Sequence, residues 1–350
     1  MNTSNDRKPK AGDWVEIRSE QEILKTLDED GRLEGMPFMP EMLAFCGRKF
    51  MVTSRAHKTC DTVFPVRSRK VSRAVHLGTR CDGSAHGGCQ AQCLIFWKEA
   101  WLKPVDQGAG VPSADAERAG TTYDARDSTG ISREQLEKTV ARIDQQDGAP
   151  IYSCQATQLP YATTDLQWWD IRQYIEDYTS GNVSIWRLFN GAVYSMYYNL
   201  SQAGIGLGRP MRWLYDRLHT LWRGTPWPRR PGIIPQGQPT PTESLGLQVG
   251  DLVRVRSQAE ILETVTTDNK NRGMVWDAEL VPYCGGTYKV QTRVTRLIDE
   301  KTGRMLDLKN PCLILEGVVC QARFSNCRMF CPRAIYPYWR EIWLRKVTDR

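Results

Sequence analysis

In Gly12-Asp-Trp-Val-Glu-Ile-Arg-Ser19, Val15 and Ile17 alternate with charged neighbours. That period of two predicts a short, half-buried strand. Ser19 with Glu22 is a capping-box pair in front of Ile23, Leu24 and Leu27, which predicts a short helix. Gly31 to Pro40 is a loop rich in Gly, Pro and Met. The runs at 50–55, 71–77 and 101–105 predict three further strands. Ser132 with Gln135 predicts a second capped helix, amphipathic through Leu136, Val140 and Ile143. Residues 165–223 read as helical and aromatic, from Trp168 and Trp169 to Trp213 and Trp222.

The first pattern returns. Residues 250–299 align without a gap on residues 12–61 at a constant offset of 238, matching Gly12 with Gly250, Ser19 with Ser257, Glu22 with Glu260, Glu41 with Glu279 and Cys46 with Cys284. Cys89 and Cys93 keep that offset to Cys327 and Cys331, while Cys81 and Cys320 slip by one. Each cysteine triplet leads into W-[KR]-E-x-W-L-[KR], at Trp97 and at Trp339. A repeat within one chain predicts a duplicated module. Its Gly-Asp-x-Val-x-Ile-Arg opening resembles that of KOW-type modules, which implies a small SH3-like barrel.

The expected fold class is therefore α+β: two duplicated, small SH3-like β-barrel modules that bind metal, flanking a helical, aromatic-rich middle. The expected boundaries are a disordered 1–11, module A at 12–105, a flexible linker at 106–131, a helical region at 132–224, a Pro-rich spacer at 225–248 and module B at 249–350. The uncharged stretch 188–208 is long enough to span a bilayer. Its Asn190, Ser195, Asn199 and Gln202 argue against a span. A helical domain packed on the modules is expected, with peripheral membrane contact through 183–223 as the alternative.

Composition changes the picture mainly through cysteine. The 350 residues are 41% hydrophobic and 25% charged, with a net charge of +7. These values describe a folded protein and favour nucleic acid only weakly as a partner. The opening residues hold no apolar leader, so a cytoplasmic, reducing setting is expected. Eleven clustered cysteines there suit metal ligation better than disulfides.

Two four-cysteine sites follow: Cys60, Cys81, Cys89 and Cys93 in module A, and Cys312, Cys320, Cys327 and Cys331 in module B. His86 is the alternative fourth ligand in module A. Cys154 stands apart, and Cys46 and Cys284 read as core residues. Thiolates suit zinc, with an iron–sulfur cluster as the alternative. Cys331-Pro332 resembles the Cys-Pro end of ferredoxin-type ligation. Module A alone carries His57, Asp82 and His86, the candidate acid/base residues if an open metal site does chemistry.

No Walker A loop, GxGxxG after a strand, HExxH or GxSxG elbow is present. The reading is a zinc-binding tandem-repeat scaffold that docks a protein partner. Its alternatives are an iron–sulfur redox component centred on module A and a nucleic-acid binder.

Overall fold

The computed structural model describes residues 8–63, 66–105, 130–204, 206, 208–221, 224–325 and 327–347. The linker expected at 106–131 lies almost wholly outside the described residues, as does most of the N-terminal segment expected to be disordered. The class is α+β, with short helices and several small sheets. The chain divides into two compact units, residues 1–184 with 298–306, and residues 185–297 with 307–350.

In the first unit the alternation at Val15 and Ile17 does form a strand, Trp14–Ile17, with both apolar side chains buried. It is the middle strand of a three-stranded sheet, antiparallel to Leu102–Pro104 and to Lys49–Met51, with Glu16 opposite both Lys103 and Lys49. The helix Glu20–Leu24 starts where the capping box requires: Ser19 Oγ accepts from Glu22 N, and Glu22 accepts from Ser19 N at 3.0 Å.

The second capped helix stops early. It covers Arg133–Lys138 with Leu136 buried, while Ile143 lies exposed on the strand Ala141–Ile143. The reason is that Ala141 to Ile143 pairs with Pro150–Tyr152 in a hairpin, which takes Ile143 off the helical face. The run 71–77 also splits, into Arg67–Val71 and Ala74–His76, at Arg73 with its positive φ of 46°. The residues 101–105 begin as the last turn of the 3-10 helix Glu99–Trp101 before the strand Leu102–Pro104.

The core of this unit is organised by the W-x-x-x-W motif. Trp97 and Trp101 are fully buried and both meet Phe38 edge-on, at centroid distances of 6.3 and 5.2 Å. A buried indole N–H needs an acceptor, and Thr26 Oγ1 supplies it to Trp101 at 3.1 Å.

A four-stranded sheet, in the order Met305–Leu315, Thr287–Ile298, Leu252–Val255, Leu344–Lys346, lies mostly in the second unit. Ser257 caps the helix Gln258–Leu262 through Glu260, as Ser19 does through Glu22. Trp339 and Trp343 are fully buried against Trp276, at 5.9 and 5.2 Å, and Trp343 Nε1 donates to Thr264 Oγ1 at 3.0 Å. The helices Ile185–Ser201 and Gly208–Leu221 belong to this unit. No helix among the described residues is long and apolar enough to cross a membrane.

The Glu22 cap gives an acid-limb prediction. Partial burial raises its pKa, but the hydrogen bonds from Lys103 and Ser19 and the Lys103 charge outweigh this and hold the carboxyl at about 2. A depressed carboxylate contributes stability that is present above its ordinary 4.5 and lost as pH falls through the folded value. The side chain is 36% exposed, so solvent screening keeps the effect to about 1 kcal/mol or less. Glu22→Gln is expected to weaken the first unit at pH 7 by that amount and to flatten its stability between pH 5 and pH 2, followed by urea melts across that range.

Candidate metal centre

The first cysteine loop is closed at its neck by the backbone. Cys81 N donates to Cys93 O at 2.9 Å, next to an antiparallel bridge between Arg80 and Leu94. Within it, His86 N and Gly88 N both donate to Gly83 O at 3.0 Å. Gly83 has φ +71°, and a Cβ there would collide with the Cys89 carbonyl. Glycine is therefore required for the turn that packs Gly83 against the Cys89 backbone. Gly83 thus serves close backbone packing within the loop.

Glu41 anchors the loop from the 3-10 helix Pro40–Phe45. Its Oε1 accepts from Ala85 N at 3.1 Å and sits 2.6 Å from His86 Nδ1. Both side chains are almost fully buried, at 2% and 1% exposure. The other ring nitrogen, His86 Nε2, lies 3.2 Å from Ser153 O. Glu41 Oε2 is buried with no hydrogen-bond partner. A buried carboxylate oxygen left this way is costly unless a cation or donor serves it.

The fourth wall comes from a segment far along the chain. Gln155 is buried, and its amide takes Phe96 N at 2.8 Å while donating to Phe96 O at 2.9 Å and Pro37 O at 3.1 Å. Two of these bonds clamp the helix Gln155–Ala162 onto Phe96, just after Cys93, and the third onto the strand Met36–Pro37. Cys154, the residue before the helix, donates its N–H to Thr157 Oγ1 at 3.0 Å. It is thereby delivered to the cysteine loop.

Cys81, Cys89, Cys93 and Cys154 all line one cavity of about 30 Å³, together with His86 and apolar residues including Met39, Leu94 and Ile298. Burial pushes the Cys81 thiol well up, reinforced by the neighbouring Glu41 charge and by Cys93 and Cys154. Burial likewise raises Cys154, with Cys89 adding to it.

Among the described residues, Glu41, Cys81 and His86 form the group whose ligand atoms lie within 4.8 Å of one another. That buried group could hold a metal ion. The chain matches no protein-family model and no curated protein. The donor chemistry of the site therefore has to carry the reading.

The remaining candidates fall elsewhere. Cys60 is buried on the strand Lys58–Asp61, opposite Ser68, and is not among the residues lining the cavity, whereas Cys154 is. His57 is also away from the cavity: its Nε2 lies 3.2 Å from Gln173 O and 3.3 Å from Asp177 Oδ1. Asp82 is exposed and caps the turn at Ser84 N, 2.9 Å away, so it does not face the thiols. His57, Asp82 and His86 are not brought together as an acid/base set.

In the second unit Cys312 is buried beside Val294 and Ile314, its sulfur 4.0 Å from Val294 O, where burial pushes the thiol up to about 12. Cys320 N donates to Ile335 O at 2.8 Å, Cys331 N donates to Arg328 O at 3.1 Å, and the Cys327 thiol lies 3.3 Å from the Ser325 hydroxyl. Glu279 accepts from Arg323 N at 2.9 Å and Phe324 N at 2.6 Å, the role Glu41 has toward Ala85. Where the first unit has His86, the same offset places Phe324, whose ring packs on Tyr194 at 5.1 Å.

Sequence reasoning missed Glu41 and Cys154. The pairing of Glu41 with Glu279 was a signal, since two acidic residues held at one place in a repeat invite a structural reason. Nothing local marks Cys154.

Proposed function

We propose that this protein is a metal-stapled scaffold of two related modules, and that its first unit holds a single structural zinc ion on Cys81, Cys89, Cys93 and Cys154. The observation that carries this reading is that Cys81, Cys89, Cys93 and Cys154 all line one small cavity, beside the Glu41, Cys81 and His86 ligand atoms that lie within 4.8 Å of one another. Four thiolates are the donor set of a closed, tetrahedral zinc site. Cys154 is preferred to His86 as the fourth ligand because both imidazole nitrogens already face oxygen atoms, Glu41 Oε1 and Ser153 O. Glu41 and His86 then act as the supporting pair beside the thiolates, and the ion's charge compensates Glu41 Oε2.

Cavity size is compatible with one ion. A volume of about 30 Å³ exceeds the ~10–15 Å³ that a single water needs. Elemental analysis separates one ion from an iron–sulfur cluster. A scaffold role is supported by the closed donor set, which leaves no open coordination position for substrate, and by Asp82 and His57 pointing elsewhere. The recurrence of the capping box, the Trp pair and the Glu41/Glu279 contacts at matching positions supports descent of both modules, with the SH3-like opening, from one duplicated unit.

Anaerobic purification with elemental analysis and an absorption spectrum tests this. About one zinc per chain with no visible absorbance is expected. Iron with acid-labile sulfide and a visible spectrum would replace the ion with a cluster. A metal-free chain whose melting ignores chelators would end the metal reading.

A further inference from the structure

The two long helices of the second unit each have an inner and an outer face. On Ile185–Ser201 the inner face is Gly191, Tyr194 and Ser201, with Gly191 so close to Phe330 that a Cβ would strike its ring. Tyr194, Tyr198 and Tyr215 all surround Trp227, which is fully buried. Tyr215 belongs to Gly208–Leu221, so both helices direct tyrosine toward the same indole. Their other faces point away from it.

Those outer faces are apolar. Ile185, Trp186, Phe189, Val193, Met196 and Leu200 are all exposed, Trp186 at 73% and Met196 at 66%. At 100° per residue these six fall within a single arc of about 100°. On the second helix Trp213, Leu214, Leu218 and Leu221 are exposed in the same way, Leu221 at 72%. Scattered apolar side chains at a surface are ordinary, but ten on two adjoining helices of one unit are not.

Charge identifies what covers them. From Ile185 to Leu221 the sequence has four arginines, Arg187, Arg209, Arg212 and Arg217, and one acidic residue, Asp216. Asp216 is already paired with Arg230. A second copy of this chain would bring arginine against arginine with no acid to meet it. An anionic bilayer surface supplies both the missing negative charge and an apolar layer for Trp, Phe and Leu. The helices have 17 and 14 residues, so at 1.5 Å per residue they reach about 25 and 21 Å, short of the roughly 30 Å hydrocarbon core. They can lie in the interface but cannot cross it.

We infer that the outer face of helices Ile185–Ser201 and Gly208–Leu221 is a membrane-docking surface that inserts into the headgroup region of anionic lipid. The test uses the full chain and sedimentation with vesicles of phosphatidylcholine alone or with about one-third phosphatidylserine. Binding to the anionic vesicles, weakened by salt, with a blue shift of tryptophan emission, is expected. Trp186→Ser with Phe189→Ser should lower the partition coefficient about tenfold or more. Both side chains are exposed, so melting should not change. Arg209→Glu with Arg217→Glu should remove the preference for anionic lipid. Absence of binding at low salt overturns the inference. So does undiminished binding by the Trp186/Phe189 variant, or a stable dimer in light scattering that this variant dissolves.

Discussion

Replacing Cys154 by serine is expected to release the metal from the first unit and to remove several kcal/mol of its stability. In a small site, metal binding free energy is folding free energy. A domain has only about 5–15 kcal/mol in total. The loss should be visible as zinc content falling toward zero and as a melting transition that chelators no longer shift. Cys89→Ser should behave alike, since Cys89 lines the same cavity. Cys60→Ser is the discriminating control. Its thiol is buried in a strand away from the cavity, so the substitution should cost about 1–2 kcal/mol of packing and leave the metal in place. The opposite result, metal lost with Cys60 and kept with Cys154, would reinstate the fourth ligand expected from sequence. His86→Gln separates the supporting role from ligation: it should keep the metal and lower stability, because Glu41 loses its donor at 2.6 Å.

What sequence could deliver here was local. Ser19 and Glu22 mark a helix start because both partners lie three residues apart, and alternation at Val15 and Ile17 marks a buried face for the same reason. The loop cysteines were legible because Cys81, Cys89 and Cys93 are near neighbours and recur. Cys154 was not, because it comes after the linker and reaches the site only through Gln155 clamping a distant helix. Glu41 was hidden by a different effect. A glutamate in Pro40-Glu-Met reads as solvent-facing, and only the folded loop presents Ala85 N and His86 Nδ1 to it. Ile143 misled in the other direction. Its helical spacing from Leu136 and Val140 is real, but pairing with Pro150 overrode it.

His57 shows the same limit and gives the second large effect. It read as a candidate acid or base, yet it belongs to a buried charge cluster. Lys58 Nζ lies 2.6 Å from Asp177 Oδ2 and 3.3 Å from Gln173 Oε1, with both partners of the ion pair at or below 1% exposure. The Tyr174 ring adds a cation–π contact at 5.0 Å. The pair ties the strand Lys58–Asp61 to the helix Arg172–Thr179. Burying two charges is itself expensive, so the pair adds little net stability, but breaking it leaves one charge uncompensated. Asp177→Leu is therefore expected to destabilise the first unit by about 3–5 kcal/mol, and Lys58→Met by a similar amount. The double variant Lys58→Met with Asp177→Leu should cost much less than the sum, because no charge is then left unpaired. Urea unfolding of the four proteins measures the coupling. If the single substitutions cost under about 1 kcal/mol, water reaches the cluster and His57 regains the access that an acid or base needs. A large coupling instead makes His57 part of the pin that holds the helix, since its ring nitrogen shares Asp177 with Lys58.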